Sequence, residues 1–408
     1  MLSLSLSNIS NSSRRKITQS NQAAASFDGT NDFIDASLLG PNIDKASGTI
    51  SHWAKITTSA NNEVLFSCSD GGSGANKVQT VFMTATSSGQ FQAVYKAGNT
   101  AFKAVYNYPA VDIVNAGWFH LAMTYVVTEE NALTIKLYFN GALQNTFTGT
   151  AETIEEAVEF DRVILGRNAN AENSYLAGLM DECMYFSGVL SDDQILGIYN
   201  SRGRANINRL IFLDPDIATQ ATCKLWLRFG DGNIGQTKDQ ATGIIDMSNP
   251  TLGSELVTNG DFTTSGTVTN NSWSLGFRTS DGGVTISSGV LNLVNEDNSA
   301  FDGRVQFTNG SNAALAITSG GTHILEYEVV ANDASSSLHL YTGTGYVTIT
   351  NTVGVHRYIY TTNGTAVYLR NGSNNSTVKI DNISLKEVQG HPAFASGALI
   401  NQDDNPTA

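Results

Sequence analysis

The stretch "AGLMDECMYFSGVLSDDQILGIYNSRG" (residues 177–203) decides how the first half of the chain is read. It opens as an apolar run, pauses at Ser187-Gly188, and closes on the clearest helix signal in the sequence. Ser191 is a good N-cap, and Gln194 three residues later completes a capping box. Asp192 and Asp193 then take the first helical positions, where the helix dipole favours negative charge. Ile195, Ile198 and Tyr199 share one apolar face, and Arg202-Gly203 suits a C-terminus. The stretch also holds four carboxylates, which raises the question of catalysis or metal ligation. Asp181 and Glu182 are neighbours on a strand, so they point to opposite faces and cannot form one pair. Glu182 is expected at the surface, which leaves Asp181 as the site candidate.

Outward from this stretch, helix periodicity is nearly absent. Short alternating runs separated by Gly, Asn and Asp dominate, as in "WFHLAMTYVV" (118–127), "HILEYEVV" (323–330) and "TAVYLRNG" (365–372). In "LTIKLYFNGALQNTF" (133–147), Asn140-Gly141 sits between two apolar runs and predicts a hairpin. The expected fold class is all-β, two tandem β-sandwich or jelly-roll domains with polar terminal arms. The boundaries read as an N-terminal arm (1–22), a first sandwich (23–203), a connector (204–254) with a strand near 223–229, a second sandwich (255–388), and a loop-like tail (389–408).

Of 408 residues, 41% are apolar and only 15% charged, with 38 glycines. That is a folded, turn-rich composition and not a disordered one. The net charge of −14 repels phosphate backbones, so nucleic acid is not an expected partner. Three widely spaced cysteines, Cys68, Cys183 and Cys223, cannot all pair and show no CxxC, which points to folding in a reducing cytosol. The N-terminal stretch has no continuous apolar region ahead of its basic residues, the wrong order for a signal peptide. No window approaches a membrane span. The six histidines form no HxH or HExxH set, and no P-loop or GxSxG is present.

Four spaced motifs carry a resemblance to the laminin-G-like, concanavalin-A-like jelly rolls. They are "SFDGTNDFIDAS" (26–37), "GTISHWAKI" (48–56), "GWFHLAMTYV" with "TIKLYFNGAL" (117–143), and the opening stretch extended back to Val163. The resemblance implies a possible structural calcium joining Asp28 to Asp181, against the plainer reading of Asp181 as a surface acid bonded to a loop. Glycosidases of this fold carry their acids two apart on one strand. No such pattern is present, so no enzyme activity is expected.

The second block resembles galactose-binding-like carbohydrate-binding modules, on "ELVTNGDFTTS" (255–265), Trp273, and "TVKIDNISLKEV" (377–388). In the last of these the apolar phase slips at Asp381-Asn382, which predicts a bulge. The resemblance implies a calcium between the two chain ends, held by Asp261 and Asp381. The residues read alone equally allow a turn at Asn259-Gly260 and an aspartate that caps the bulge. Sugar binding needs aromatic platforms beside polar groups. Candidates are Tyr106, Tyr108, Trp273 and Tyr341, with Tyr95 and Tyr346 beside them.

Two sugar-module-like sandwiches with polar arms resemble bacteriophage virion components such as head decoration, fibre or tail-associated proteins. The implied function is a non-enzymatic virion surface protein that displays lectin-like domains to host or environmental glycans. Its implied partners are other capsid or tail proteins and further copies of itself, a trimer by analogy. The alternative is a secreted bacterial carbohydrate-binding adhesin, and a polysaccharide-degrading enzyme comes third.

Overall fold

The computed structural model describes residues 24–402 except 59–61, 71–77, 87–88, 98–99, 109–112, 129–130, 152–158, 202–221, 230–242, 245, 247, 249–251, 267, 269–272, 275–282, 297–302, 309–314, 316, 318, 344, 363, 365, 389 and 397–398. The expected N-terminal arm lies outside the described residues.

The first unit contains β1 (Ala24–Asp28), β2 (Phe33–Asp35), β3 (Ser47–Ile56), β4 (Glu63–Ser69), β5 (Val78–Ala85), β6 (Gln90–Ala97), β7 (Thr100–Asn107), β8 (Phe119–Val127), β9 (Ala132–Phe139), β10 (Ala142–Thr150), β11 (Arg162–Leu165), β12 (Ala177–Phe186), α1 (Asp192–Asn200), β13 (Cys223–Leu227) and β14 (Gly243–Ile244). The second contains β15 (Trp273–Ser274), β16 (Val284–Ser287), β17 (Val290–Asn295), β18 (Arg304–Phe307), β19 (Thr322–Asn332), β20 (Leu338–Tyr341), β21 (Tyr346–Ile349), β22 (Gly354–Thr361), β23 (Tyr368–Asn371) and β24 (Ser376–Glu387). Two last strands follow, β25 (Ala393–Ser396) and β26 (Leu399–Gln402).

The fold class is all-β, as the alternating runs imply. One sheet of the first sandwich runs β10-β9-β8-β3-β12-β1-β26, with β13 also paired to β12. The other runs β14-β25-β2-β11-β4-β5-β6-β7. Phe66, Phe91, Tyr95, Phe119, Tyr125, Leu137 and Tyr185 fill the core of this unit. The expected hairpin joins β9 to β10, with Asn140 and Gly141 at φ 49° and 77°. Both central residues in the left-handed region make the tight turn whose twist matches the strands.

Helix α1 has the predicted cap. The Ser191 hydroxyl accepts from the Gln194 N–H, and the Gln194 side chain accepts from the Ser191 N–H. The helix lays Ile195 and Ile198 on the outer face of the first sheet, against Ala122, Tyr138, Met184, Phe186 and Trp226. Asp192, just inside the cap, accepts from Lys136 Nζ at 2.9 Å and from the Tyr138 hydroxyl at 2.7 Å.

The second sandwich packs sheet β15-β18-β23-β20-β21 on sheet β16-β17-β24-β19-β22. Its core includes Trp273, Leu293, Val305, Phe307, Tyr327, Leu338, Leu340, Leu369 and Ile380. The predicted bulge in β24 is present. Glu326 pairs Ser384 while Glu328 pairs Asp381, and Asn382 has φ 52°. An equivalent bulge sits in β12, where Asp181 pairs Trp53, Met184 pairs Ser51, and Glu182 has φ 49°. In both, the aspartate Oδ1 accepts the N–H of the next residue at 2.7 Å.

The C-terminal stretch differs from the expected loop-like tail. Strand β25 inserts between β2 and β14, and β26 pairs with β1. Both strands therefore belong to the sheets of the first sandwich, as do β13 and β14 from the expected connector. The second sandwich is flanked in sequence by strands of the first. A small apolar cluster joins the two units, with Ile324, Ile359 and Val388 packed against Leu252 and Phe394.

Candidate functional site

Strands β18, β20, β21 and β23 alternate strictly, so one face of their sheet feeds the core and the other does not. Residues directly opposite each other in antiparallel strands project from the same face. The register therefore orders the outer face into two rows. One row runs Thr348, His339, Arg370, Arg304 across β21, β20, β23 and β18. The next runs Tyr346, Tyr341, Tyr368 and Gln306. A cationic row thus lies beside an aromatic one.

The rings and cations interlock. The Arg370 guanidinium carbon lies 4.5 Å from the Tyr346 ring centre, and that of Arg304 lies 4.8 Å from the Tyr368 ring centre. Tyr341 packs against both rings, at 5.2 Å from Tyr346 and edge-on at 5.4 Å from Tyr368. Its hydroxyl donates to the Gly343 carbonyl at 2.7 Å. Stacked cations of this kind gain from the negative ring face and lose rotational freedom.

His339 positions Arg370. Its Nδ1 lies 3.4 Å from Arg370 Nη2. A guanidinium only donates, so Nδ1 accepts and the ring proton sits on Nε2. Burial, and secondarily the Arg370 charge, hold the His339 pKa below its ordinary value. The imidazole lies over Gly372, where a Cβ would stand 2.2 Å from a ring carbon. Only glycine lets the ring approach this closely.

Tyr341 and Tyr346 are the sequence candidates that lie on this face. Trp273 does not. It is 1% exposed and pairs with Phe307 on the inner face, where it packs tilted against Phe262 and edge-on against Phe307. Its position is a correction to the expected platform: the register of β15 turns the indole into the core. Tyr106 and Tyr108 are half-buried against Phe139 of the first core, at 5.4 and 5.2 Å between ring centres. Tyr95 is buried, and its hydroxyl donates to the Lys45 carbonyl. Arg304, Arg370 and Tyr368 were not foreseen, and His339 was counted among scattered histidines. The signal was the alternation of "RVQF", "LHLY" and "YLRN", which places Arg304, Gln306, His339, Tyr341, Tyr368 and Arg370 on one face.

The register holds the first pair of proposed calcium ligands apart. Strand β1 pairs Asp28 with Ala177, so Asp181 lies four residues farther along β12, about 13 Å away at the usual strand rise. Asp28 instead caps its own turn, accepting from the Thr30 and Asn31 N–H groups. Asp181 is fully buried beside its bulge. In the second unit, Gly260 accepts from the Ile383 N–H, so the two chain ends do meet. Asp261 is turned onto Thr263 and Asp381 onto Asn382. Calcium takes six to eight oxygens. Among the described residues no three acidic, histidine or cysteine side chains gather about one point.

Glu182 overturns the expected surface position. It is 1% exposed and accepts from Arg228 Nε at 2.9 Å and from the Trp226 indole N–H. Strand β13, laid beside β12, carries Trp226, and Arg228 follows directly after its last residue.

Residues 28–196 match the family model described as the concanavalin A-like lectin/glucanases superfamily. Solved structures with similar folds include a pentraxin from Limulus polyphemus, 13% identical, covering 44% of this chain and 82% of that one at a TM-score of 0.33. The CBM40 module of the Ruminococcus gnavus IT-sialidase bound to α2,3 sialyllactose is 19% identical, covering 44% and 99%, at a TM-score of 0.32. Domain 4 of the extracellular arabinanase of Geobacillus stearothermophilus, in complex with arabinotriose, is 17% identical, covering 43% and 76%, at a TM-score of 0.31. A search of curated protein sequences returns no match.

Proposed function

We propose that this chain is a non-enzymatic glycan-binding protein of the virion surface, and that it binds saccharide on the outer face of the sheet formed by β15, β18, β23, β20 and β21. The observation that carries the binding reading is the pair of rows, aromatic and cationic, held in register on one rigid sheet. Sugar recognition needs flat apolar surface beside polar groups, and Tyr341 and Tyr346 beside Arg370 supply that combination where the face reaches solvent, while Tyr368 and Arg304 behind them are buried. The match of residues 28–196 to a lectin-containing superfamily supports the same reading for the first unit.

Two further observations support the rest of the proposal. Asp181 and Glu182 lie in the interior, and Glu182 is engaged by Arg228, so neither meets solvent as a glycosidase acid must. All three cysteines are buried thiols, which suits assembly in a reducing cytoplasm before release. Within a particle the chain would dock on capsid or tail proteins as a homo-oligomer, a trimer by analogy.

A glycan microarray probed with the full chain tests binding, and Tyr346→Ala is expected to weaken it. Mass spectrometry of purified particles tests the location. A chain absent from particles yet recovered outside bacterial cells would replace the virion reading with that of a secreted adhesin. Release of reducing sugar from a polysaccharide panel would overturn the non-enzymatic reading.

A further inference from the structure

Among the described residues, the two sheets of the second unit end in four strands. Strand β15 has two residues, and β16 and β21 have four each. The fourth, β22, has eight, and among the described residues it pairs only with β19. In an antiparallel strand every second residue turns its N–H and C=O away from the partner, so an open edge is a template for a further strand. Proteins blunt such edges by keeping them short or by placing lysine, proline or a bulge there. The sequence "GVHRYIYT" holds no lysine or proline, and its register with β19 runs unbroken from Gly354 to Thr361. Arg357 turns back onto Glu326 of β19, away from the open side.

This edge is also apolar. Val353 and Val355 are 65% and 71% exposed, the highest values for large hydrophobic side chains among the described residues. Val355 pairs with Glu328, and the same register sets Val353 opposite Val330, which is also exposed. Tyr327 and Val329 lie in the core, so the residues that alternate with them, Glu328 and Val330, face outward together with the two valines of β22. The other half of the strand is covered, because Ile359 packs with Leu252 and Phe394. The bare edge is therefore 353–357.

Three valines offer far less than the roughly 800 Å² per partner of a stable interface, which argues against a second copy docked face to face. A strand laid along the edge requires less area, because backbone hydrogen bonds supply affinity and alternate side chains supply specificity. The chain contains a matching segment outside the described residues. Residues 2–7 read Leu-Ser-Leu-Ser-Leu-Ser, a strict two-residue alternation of about the length of the bare edge. Residues 1–22 also carry Arg14, Arg15 and Lys16 and no Asp or Glu, in a chain of net charge −14. Residues 8–23 can span up to about 50 Å when extended, more than the roughly 30 Å diameter of a small domain.

We propose that residues 2–7 of the same chain add as a strand to the open edge of β22, with Leu2, Leu4 and Leu6 on the face that carries Val353 and Val355.

Hydrogen exchange of the full chain, read by mass spectrometry, tests the pairing. Wild type is compared with Leu4→Pro, Val355→Asp and Val189→Asp, after circular dichroism has shown each variant folded. Val189 is an exposed residue of the first unit and serves as the control. Amides of 2–7 should be protected in the wild type. Leu4→Pro should speed exchange at 353–357 about tenfold, and Val355→Asp should speed exchange at 2–7 by a similar factor. Val189→Asp should do neither. Amides of 2–7 that exchange without protection in the wild type would overturn the proposal, as would a Leu4→Pro effect confined to 2–7. If Val355→Asp does not fold, Leu4→Pro decides alone. A cysteine pair then fixes which chain supplies the strand. Leu4→Cys with Val355→Cys, oxidised in dilute solution, should give a cross-linked monomer about tenfold faster than Leu4→Cys with Val189→Cys, since only paired strands hold the two thiols at bonding distance. Equal rates would overturn the docking site. Cross-linked dimers in place of monomers would overturn the same-chain assignment and place the strand on a second copy.

Discussion

The guanidinium of Arg228 and the carboxylate of Glu182 meet 2.9 Å apart in the interior, with side-chain exposures of 2% and 1%. The pair ties β13 to the bulge of β12 at a point where the strand ladder alone is irregular. Removing one partner takes from the other its opposite charge in the interior. Glu182→Leu is expected to destabilise the protein by about 3–5 kcal/mol, measured by urea unfolding. The double change Glu182→Leu with Arg228→Met should lie much closer to wild type. Equal losses in the single and double variants would refute this account.

The capping box of α1 makes a smaller prediction. Ser191→Ala removes one N-cap acceptor and should cost about 1 kcal/mol. The helix covers Tyr138, Met184 and Trp226, so the loss should be visible as a lowered Tm and not only as local fraying. An unchanged Tm would show that packing alone holds the helix.

Acid should weaken the first unit through two histidines. His52 and His120 are both buried, and burial pushes each down to about 3, with His120 adding to the effect at His52. Both are neutral in the folded chain and titrate near 6.5 when unfolded. Their contribution is complete above 6.5 and is lost as pH falls toward 3. Denaturation by urea at pH 7, 5 and 4 should show stability falling with a slope approaching two protons. A double variant, His52→Leu with His120→Asn, should flatten the fall.

Glu63 works in the opposite sense. Burial pushes its carboxyl up from 4.5 to about 8, against a bond from the Ala177 N–H. A raised folded-state value stabilises below 4.5, and that contribution is lost as pH rises through 8. Glu63→Gln should therefore raise Tm at pH 8.5 relative to wild type and leave it nearly unchanged at pH 4. No difference between the two pH values would remove Glu63 from the pH profile.

Calcium is excluded as a structural ligand if chelation changes nothing. EDTA and added calcium are both expected to leave Tm where it stands, because a ligand of the native state alone would raise it. A clear drop on chelation would return attention to Asp261 and Asp381.

The architecture was legible wherever the chain alternates or carries a cap. The Asn140-Gly141 hairpin, the Ser191 capping box and the phase slip at Asp381-Asn382 are local codes, set by residues within a few positions of each other. What escaped the reading was long-range pairing. "HPAFASGALINQ" shows no clear period, yet its backbone supplies two strands to sheets begun more than 350 residues earlier. Backbone hydrogen bonding has no side-chain signature. Glu182 was misplaced for the same reason, since its partners lie 44 and 46 residues away, on and just after a strand that no local pattern joins to β12. The binding face was half legible. Tyr341 and Tyr346 stood out as aromatics, whereas the arginines became meaningful only when register set them in a row.

The return of β26 to β1 fixes how the molecule would carry load. Ala24, the first residue of β1, pairs with Gln402, the last of β26. Tension applied through the two ends would peel β26 from β1 one rung at a time, the weakest geometry for a strand pair. The second sandwich hangs from the first by both of its connections, through β14 and β25. It stays out of the force path until the first unit opens. The cluster of Ile324, Ile359 and Val388 with Leu252 and Phe394 is the apolar contact that any force between the two units would have to break.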